Sequence, residues 1–268
     1  MENIQKISSF QMFILIVSCR LITTYSYLPI TNTPPANQDA WLIVILSAIF
    51  DIIIFWPILY LSNRFNDLTL VEYSEKIMGS FLGKIVGLVF ICFFILISLL
   101  DLVIMAEFLS STIMPETPVS ATIILMVITC AYTIYKGLEV IGRIAELFVP
   151  FIFFTIIFFI LLSVNKMDFN VFLPILADSS FYEVNYAAVI TSSRFYDVII
   201  LCMAVPNLKK KSDLNKIFFY SVIITTLFFC IIILSVYAVL GVEQAKYSNY
   251  PFFTFTRQIN LSGKCKKG

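Results

Sequence analysis

Long apolar runs separated by short polar loops dominate the chain. Seven of these runs approach or exceed the length of about 20 residues that a helix needs to cross the hydrocarbon core of a bilayer. They cover roughly residues 7–29, 40–62, 84–113, 119–135, 141–164, 187–208 and 217–240. Because lipid offers no hydrogen-bond partners to an open strand edge, each run is predicted to be an α-helix. The pattern therefore predicts an all-α polytopic membrane protein with about seven transmembrane helices.

Composition agrees with this fold class and excludes one class of partner. The 268 residues are 60% hydrophobic and only 13% charged, whereas about a quarter of the residues in a soluble domain are charged. The formal net charge of +1 provides no basic surface of the kind that nucleic acid requires. Membrane lipid is an expected partner and nucleic acid is not.

The residue types needed for common catalysis are also scarce. Histidine, the commonest general base and metal ligand, is absent from the sequence. The six cysteines show no Cys-x-x-Cys pair. An intramembrane aspartyl protease would need two facing aspartates, nominally available among Asp51, Asp101 and Asp197, but no Gly-flanked Asp motif accompanies them. The sequence thus predicts neither an enzyme nor a metal or cofactor site.

Lysine and arginine are concentrated in alternate loops. They occur before the first span and after the second, fourth and sixth, ending with the lysines at 209–211. The positive-inside rule then predicts a cytoplasmic N-terminus. Seven spans would place the C-terminus outside, yet the tail "SGKCKKG" adds three lysines there. The chain is therefore expected to be truncated at its C-terminus.

Several ionisable residues fall near the middle of predicted spans. Arg194 and Asp197 lie about 13 and 10 residues from Asn207, near the bilayer midplane at 1.5 Å per residue, and Arg20 reaches a similar depth in the first span. A charge there costs on the order of 3 kcal/mol or more unless it faces a partner or a wet cavity. Arg194 and Asp197 could bind a ligand, or could neutralise each other at i, i+3. Asp51 is equally open to packing and to function.

Two of these arginines share a local setting. The first span contains "SCRLITTYSYLP" and the sixth "TSSRFYDV", and in each small hydroxyl residues beside the arginine can satisfy freed backbone groups. Transporters built from inverted repeats interrupt the first helix of each half at such a place. This predicts broken helices 1 and 6, a first repeat over 1–164 and a partial second repeat over 165–268. The candidate ligand-binding residues are Arg20, Thr23, Thr24, Ser192, Ser193, Arg194 and Asp197.

Glycines at every fourth position lead into the third span. Gly79, Gly83 and Gly87 share one helix face, which lets another helix or a segment at the bilayer surface approach closely. A packing role is predicted for them.

Several longer stretches resemble a known family. They are "ETPVSATIILMVITCAYTIYKGLEVIGRIAELFVPF", "LPIL", "DVIILCMAVPNLKKK" and "YPFFTFTRQIN". The most specific element is Gly-x-Glu-x-x-x-Arg-x-x-Glu, here Gly137, Glu139, Arg143 and Glu146, followed by Pro150. Together they resemble the spore germination permeases, the B subunits of germinant receptors within the amino acid/polyamine/organocation transporter superfamily.

The resemblance implies a ten-helix fold of two inverted five-helix repeats, with a germinant site where helices 1 and 6 are unwound. It also implies a sensor in the inner spore membrane beside an A subunit and a lipoprotein C subunit. The acidic residue that the family carries late in helix 6 falls on Asp197. This sequence departs from the family by lacking a glycine at residues 22–24 and the last three helices.

The residues and the resemblance lead to one main hypothesis. The chain is a germinant-receptor membrane subunit that senses an amino acid or similar small solute near the midplane. A secondary amino acid or polyamine transporter and a truncated, inactive assembly partner remain alternatives, because one fold can serve each role. A structural or gating role is assigned to the element formed by Gly137, Glu139, Arg143, Glu146 and Pro150. The charges of this element are spaced to pair with one another.

Overall fold

The computed structural model describes residues 6–26, 28–35 and 37–258, with the backbone alone at residues 22–26 and 29. Its principal elements are helices: α1 (Ser9–Ser26), α2 (Ala40–Arg64), α3 (Leu70–Met78), α4 (Ser80–Thr112), α5 (Val119–Lys136), α6 (Leu138–Ser163), α7 (Phe181–Ser193), α8 (Asp197–Ala204), α9 (Leu214–Leu240), α10 (Val242–Tyr247) and α11 (Pro251–Arg257). Strand pairing in this part of the chain is limited to an isolated parallel bridge between Ile7 and Leu208. The predicted all-α class is confirmed.

Among the described residues, six helical segments are long and apolar enough to cross a membrane. They are Ala40–Arg64, Ser80–Thr112, Val119–Lys136, Leu138–Lys166, Phe181–Asn207 and Lys211–Leu240. They match the second to seventh predicted spans, and the first corresponds to the shorter apolar helix Ser9–Leu21. The chain is an integral membrane protein.

The first helix differs from its prediction. Its backbone is helical from Ser9 to Ser26, so the interruption predicted at residues 22–24 is wrong at that place. Sharp breaks in helices occur mainly at proline, glycine or inserted groups, and this stretch reads Ile22, Thr23, Thr24. Helical hydrogen bonding in α1 continues through these residues to Ser26.

Spatial clustering divides the chain into two compact units. Unit 1 comprises Met1–Cys19, Ile53–Leu147 and Tyr196–Ser221, and unit 2 comprises Arg20–Ile52, Phe148–Phe195 and Val222–Gly268. The predicted repeats concern internal symmetry rather than compactness, and that division stays a prediction.

In unit 1 the start of the chain is bound to the segment before α9. The Ile7 N–H donates to the Asn207 carbonyl at 2.9 Å, and the Lys209 N–H donates to the Ile7 carbonyl at 2.9 Å. The Ser9 hydroxyl donates to Asp213 at 2.8 Å. These bonds fix the point at which α1 begins.

Also in unit 1, the short helix α3 packs against α4 across the glycine face. Gly79, with a φ of +83°, separates the two helices, a backbone conformation that favours glycine. A Cβ on Gly83 would lie 2.4 Å from the Glu75 Cα, and one on Gly87 would lie 3.0 Å from Val71. The packing role is confirmed for Gly83 and Gly87, with the surface helix α3 as the neighbour, whereas a Cβ on Gly79 would meet nothing within 4 Å.

The core of unit 2 is built around α9, whose buried residues include Ile232, Val236 and Tyr237. The segment before α7 is bound to the start of α2: the buried Asp39 carboxylate accepts hydrogen bonds from the Leu176 N–H at 3.0 Å and the Ser179 hydroxyl at 2.6 Å. These two bonds fix where α7 begins, and therefore where the sixth span enters the unit.

Candidate functional site

The sixth span is interrupted near its middle. Helix α7 ends at Ser193 and α8 begins at Asp197. At the end of α7 the Arg194 N–H donates to the Thr191 carbonyl at 3.2 Å, and the Phe195 N–H donates to the Ser192 carbonyl at 3.0 Å. These short-range bonds tighten the last turn, as is usual where a helix ends. The interruption predicted for helix 6 is confirmed.

The two serines before the interruption bond within their own helix. The Ser192 hydroxyl donates to the Val189 carbonyl at 2.8 Å, and the Ser193 hydroxyl donates to the Ile190 carbonyl at 2.7 Å. Ser192 is buried and Ser193 is exposed. Both hydroxyls thus have intrahelical partners, which satisfies polar groups inside the membrane without help from another element.

The charged residues on either side of the interruption differ in burial. Arg194, the residue after α7, is half-buried, while Asp197 is the first residue of α8 and is 3% exposed. A carboxylate in the first turn of a helix is favoured by the partial positive charge of the unsatisfied N–H groups. Because the helix stops between them, Arg194 and Asp197 do not occupy i, i+3 positions of one continuous helix.

Arg20 has a charged partner in unit 2. Its guanidinium lies 2.7 Å from an Asp51 carboxylate oxygen, and the two side chains are 1% and 0% exposed. The same guanidinium lies 4.8 Å from the centroid of the Phe195 ring, within the distance for a cation–π interaction. The structure therefore places Arg20, predicted as a ligand contact, in a buried ion pair with an aspartate on α2.

A second polar contact involves the interruption in unit 1. The Tyr196 hydroxyl donates to an Asp101 carboxylate oxygen at 2.7 Å, and the Tyr196 ring meets Phe93 edge to face at 5.9 Å. Asp101 lies 11 residues before the end of α4 at Thr112, about 16 Å along the helix. The sequence marked Asp101 as a midplane charge but gave no sign that Tyr196 was its partner.

The remaining predicted ligand contacts are Thr23 and Thr24. Both belong to the continuous helix α1, and their side chains lie outside the described residues. The predicted set is therefore distributed over α1, α7 and α8, with Arg20 and Arg194 in unit 2 and Asp197 in unit 1.

The glutamate and arginine element occupies the start of α6. Gly137, with a φ of +94°, separates α5 from α6, and Arg143 donates to Glu139 at 2.7 Å. Glu146 instead accepts a hydrogen bond from the Gln11 side chain at 3.4 Å. The Arg143–Glu139 part of the predicted ladder is confirmed, and Glu146 contacts the start of α1.

The last residue of that element, Pro150, lies inside α6, where a membrane helix tolerates proline. Elsewhere along the described residues, no group of three or more Cys, Asp or Glu side chains could hold a metal ion.

Comparisons with known proteins identify the family. The family model described as "Spore germination protein" matches residues 6–264. Spore germination protein YndE of Bacillus subtilis is 26% identical over 96% of this chain and 71% of its own length. Spore germination protein KB of the same organism is 24% identical over 96% of this chain and 69% of its own length.

Spore germination protein A2, also of Bacillus subtilis, is 20% identical over 96% of this chain and 71% of its own length. No solved structure matches the chain. This helical membrane protein has an interrupted sixth span, and the family model matches nearly its whole sequence. The match shows that this chain belongs to the spore germination protein family.

Proposed function

We propose that this chain is the membrane subunit of a germinant receptor and senses an amino acid or similar small solute at the interruption of its sixth span. The observation that carries the proposal is the break between α7 and α8 near the middle of an apolar span, with a charged residue on each side. Interrupted membrane helices present unsatisfied backbone groups and helix ends to solutes, and charges at that depth are functional by default. Membership of the spore germination family supports the biological setting.

In this proposal Arg194 pairs with a ligand carboxylate. Its side chain is half-buried, and an arginine fork matches a carboxylate in a bidentate geometry. Asp197, the first residue of α8, orients the start of that helix. Arg20, whose guanidinium is already engaged by Asp51, supports the site without contacting the solute.

The proposed setting is the inner spore membrane, with the N-terminus cytoplasmic and with A and C receptor subunits as partners. The distribution of lysine and arginine over alternate loops supports the orientation. The names of the relatives support a germination role. The proposed role is binding and signalling rather than catalysis.

The test replaces Arg194 and Asp197 by alanine, one at a time, in the native gene. We expect the response to at least one germinant to require a concentration at least tenfold higher, because each variant removes a charge-assisted contact. Spores carrying Arg257→Ala or Glu116→Ala, at exposed positions, are the matched controls. Immunoblots of spore membranes verify equal amounts of protein. Unchanged responses to every germinant in both test variants would refute the site assignment.

A secondary transporter is the second candidate, since the same interrupted helix also suits a solute that crosses the membrane. Purified protein in sealed vesicles separates the two roles. Accumulation of an amino acid or polyamine driven by an ion gradient would favour the transporter. Saturable binding without accumulation would favour the sensor, and the absence of both would leave an assembly role.

A further inference from the structure

Two basic side chains converge on one aromatic ring where α2 leaves the membrane-spanning region of unit 1. The Arg64 guanidinium lies 5.8 Å from the centroid of the Phe65 ring, and the Lys76 ammonium lies 5.5 Å from the same centroid. Both basic residues are exposed. Each cation lies within the distance for a cation–π contact with that ring, and its charge can still attract an anion.

Two of the neighbouring acids have other partners, and Glu75, beside Lys76 in sequence, forms no ion pair among the described residues. Asp67 forms an ion pair with Lys211. Glu72, four residues before Lys76, accepts a hydrogen bond from the Thr69 N–H at 2.6 Å in the capping box that begins α3. Within the part of the chain that the structure describes, the ion pairs found include neither Arg64 nor Lys76.

The ring that both cations contact is held in place. Phe65 stacks on Tyr73 with centroids 5.8 Å apart, and the Tyr73 hydroxyl shares a hydrogen bond of 3.4 Å with the buried Ser62 hydroxyl. Burial raises the pKa of the Tyr73 phenol, so Tyr73 adds no negative charge near neutral pH. The two cations therefore share a fixed apolar base, and the Tyr73 phenol neutralises neither of them.

An apolar surface continues from the pair toward the membrane. The turn from α3 into α4 exposes Ile77, Met78, Phe81 and Leu82, with Phe81 79% exposed. These residues lead directly into α4, whose apolar length crosses the membrane. An exposed apolar surface beside two basic residues fits a lipid. The acyl chains would contact the apolar surface, and the headgroup would contact the basic residues.

We propose that Arg64 and Lys76, which both contact Phe65, form a binding site for the phosphate of an anionic phospholipid headgroup. Basic clusters at the end of a transmembrane helix recognise anionic lipids through charge, and an arginine fork suits a phosphate oxygen pair. The site lies on α2 and α3 and uses none of the residues assigned to the proposed solute site.

The test titrates the purified 268-residue chain in neutral detergent with short-chain phosphatidylglycerol, short-chain phosphatidylcholine and inorganic phosphate, and follows binding by native mass spectrometry. We expect saturable binding of phosphatidylglycerol that is tighter than that of either other ligand. Each basic residue near an anionic lipid contributes about fivefold in affinity. R64Q/K76Q should therefore bind phosphatidylglycerol about 30-fold more weakly.

Two variants accompany this one. R64K/K76R keeps both charges and should bind phosphatidylglycerol nearly as the unchanged chain does. K246Q/R257Q removes two cations from other aromatic rings, Tyr247 and Phe253, in unit 2, and should leave binding unchanged.

If the double glutamine variant is not recovered folded, R64Q and K76Q separately should each weaken binding about fivefold. Three results would each overturn the proposal. They are phosphatidylcholine bound as tightly as phosphatidylglycerol, phosphatidylglycerol bound equally by R64Q/K76Q and the unchanged chain, and inorganic phosphate bound as tightly as the lipid. The last result would identify a site for a soluble phosphate instead.

Discussion

Removing one member of the buried Arg20–Asp51 pair should strongly destabilise unit 2. The two side chains are 1% and 0% exposed and 2.7 Å apart, so Asp51→Leu leaves a guanidinium in an apolar environment without its carboxylate. Breaking a buried pair from one side costs about 3–5 kcal/mol. The cation–π contact between Phe195 and the guanidinium remains in this variant. It offsets about 1–2 kcal/mol of that cost. The expected decrease in the free energy of unfolding is therefore about 1–4 kcal/mol.

The matched double variant Arg20→Met with Asp51→Leu removes both charges and keeps similar volumes. Replacing a whole buried ion pair by apolar residues is often neutral or stabilising, so this variant should lie within about 1 kcal/mol of the unchanged protein. Unfolding by a denaturing detergent in mixed micelles measures the four members of the cycle. Two results would show that the pair does not stabilise unit 2. One is a single variant that loses less than about 1 kcal/mol of unfolding free energy, and the other is a double variant whose loss equals the sum of the two single losses.

The same cycle distinguishes the two roles considered for Arg20. If Arg20 supports the site through Asp51 alone, the double variant should recover the germinant response together with stability. If Arg20 contacts the ligand carboxylate, stability should recover while the response does not. The second result would return Arg20 to the ligand-binding set that its sequence context predicted.

Three further changes have expected outcomes. Gly83→Ala places a Cβ 2.4 Å from the Glu75 Cα, so it should separate α3 from α4. The separation should increase the rate of tryptic cleavage beside α3, and an unchanged rate would contradict the packing. Asp39→Ala removes two charge-assisted hydrogen bonds and should lower the free energy of unfolding by about 3 kcal/mol. Unfolding in mixed micelles measures this loss, and a loss below about 1 kcal/mol would contradict the prediction. Tyr196→Phe removes the bond to Asp101 and should raise the germinant concentration for half-maximal response; identical dose–response curves would show that this contact does not affect sensing.

The positions of the long helices follow from local sequence. A run of about 20 apolar residues has one stable form in lipid, so the bounds predicted for the third span, 84–113, agree with the observed Ser80–Thr112. The glycine face on α4 was also recognisable, because a four-residue repeat of glycine has a direct steric meaning. Its neighbour, however, could have been another helix or a surface segment.

The interruptions were only partly predictable. Both arginine contexts carried hydroxyl residues, but the sixth span breaks at Arg194–Tyr196 while α1 remains helical through residues 22–24. Hydroxyl side chains can satisfy a freed carbonyl and can equally bond to their own intact helix, as Ser192 does. Local sequence therefore shows where a break is tolerated and does not decide that it occurs.

The sequence alone determined that this protein is a helical membrane protein, where its spans lie, and which ionisable residues sit at midplane depth, because hydrophobic length and residue type are properties of each segment. Only the tertiary structure decided which of those residues meet. Arg20 and Asp51 are 31 positions apart and Tyr196 and Asp101 are 95 apart, and the polar partner of a buried charge is set by which helices pack together. Helical periodicity defines the faces of one helix but contains no information about the neighbour that each face meets.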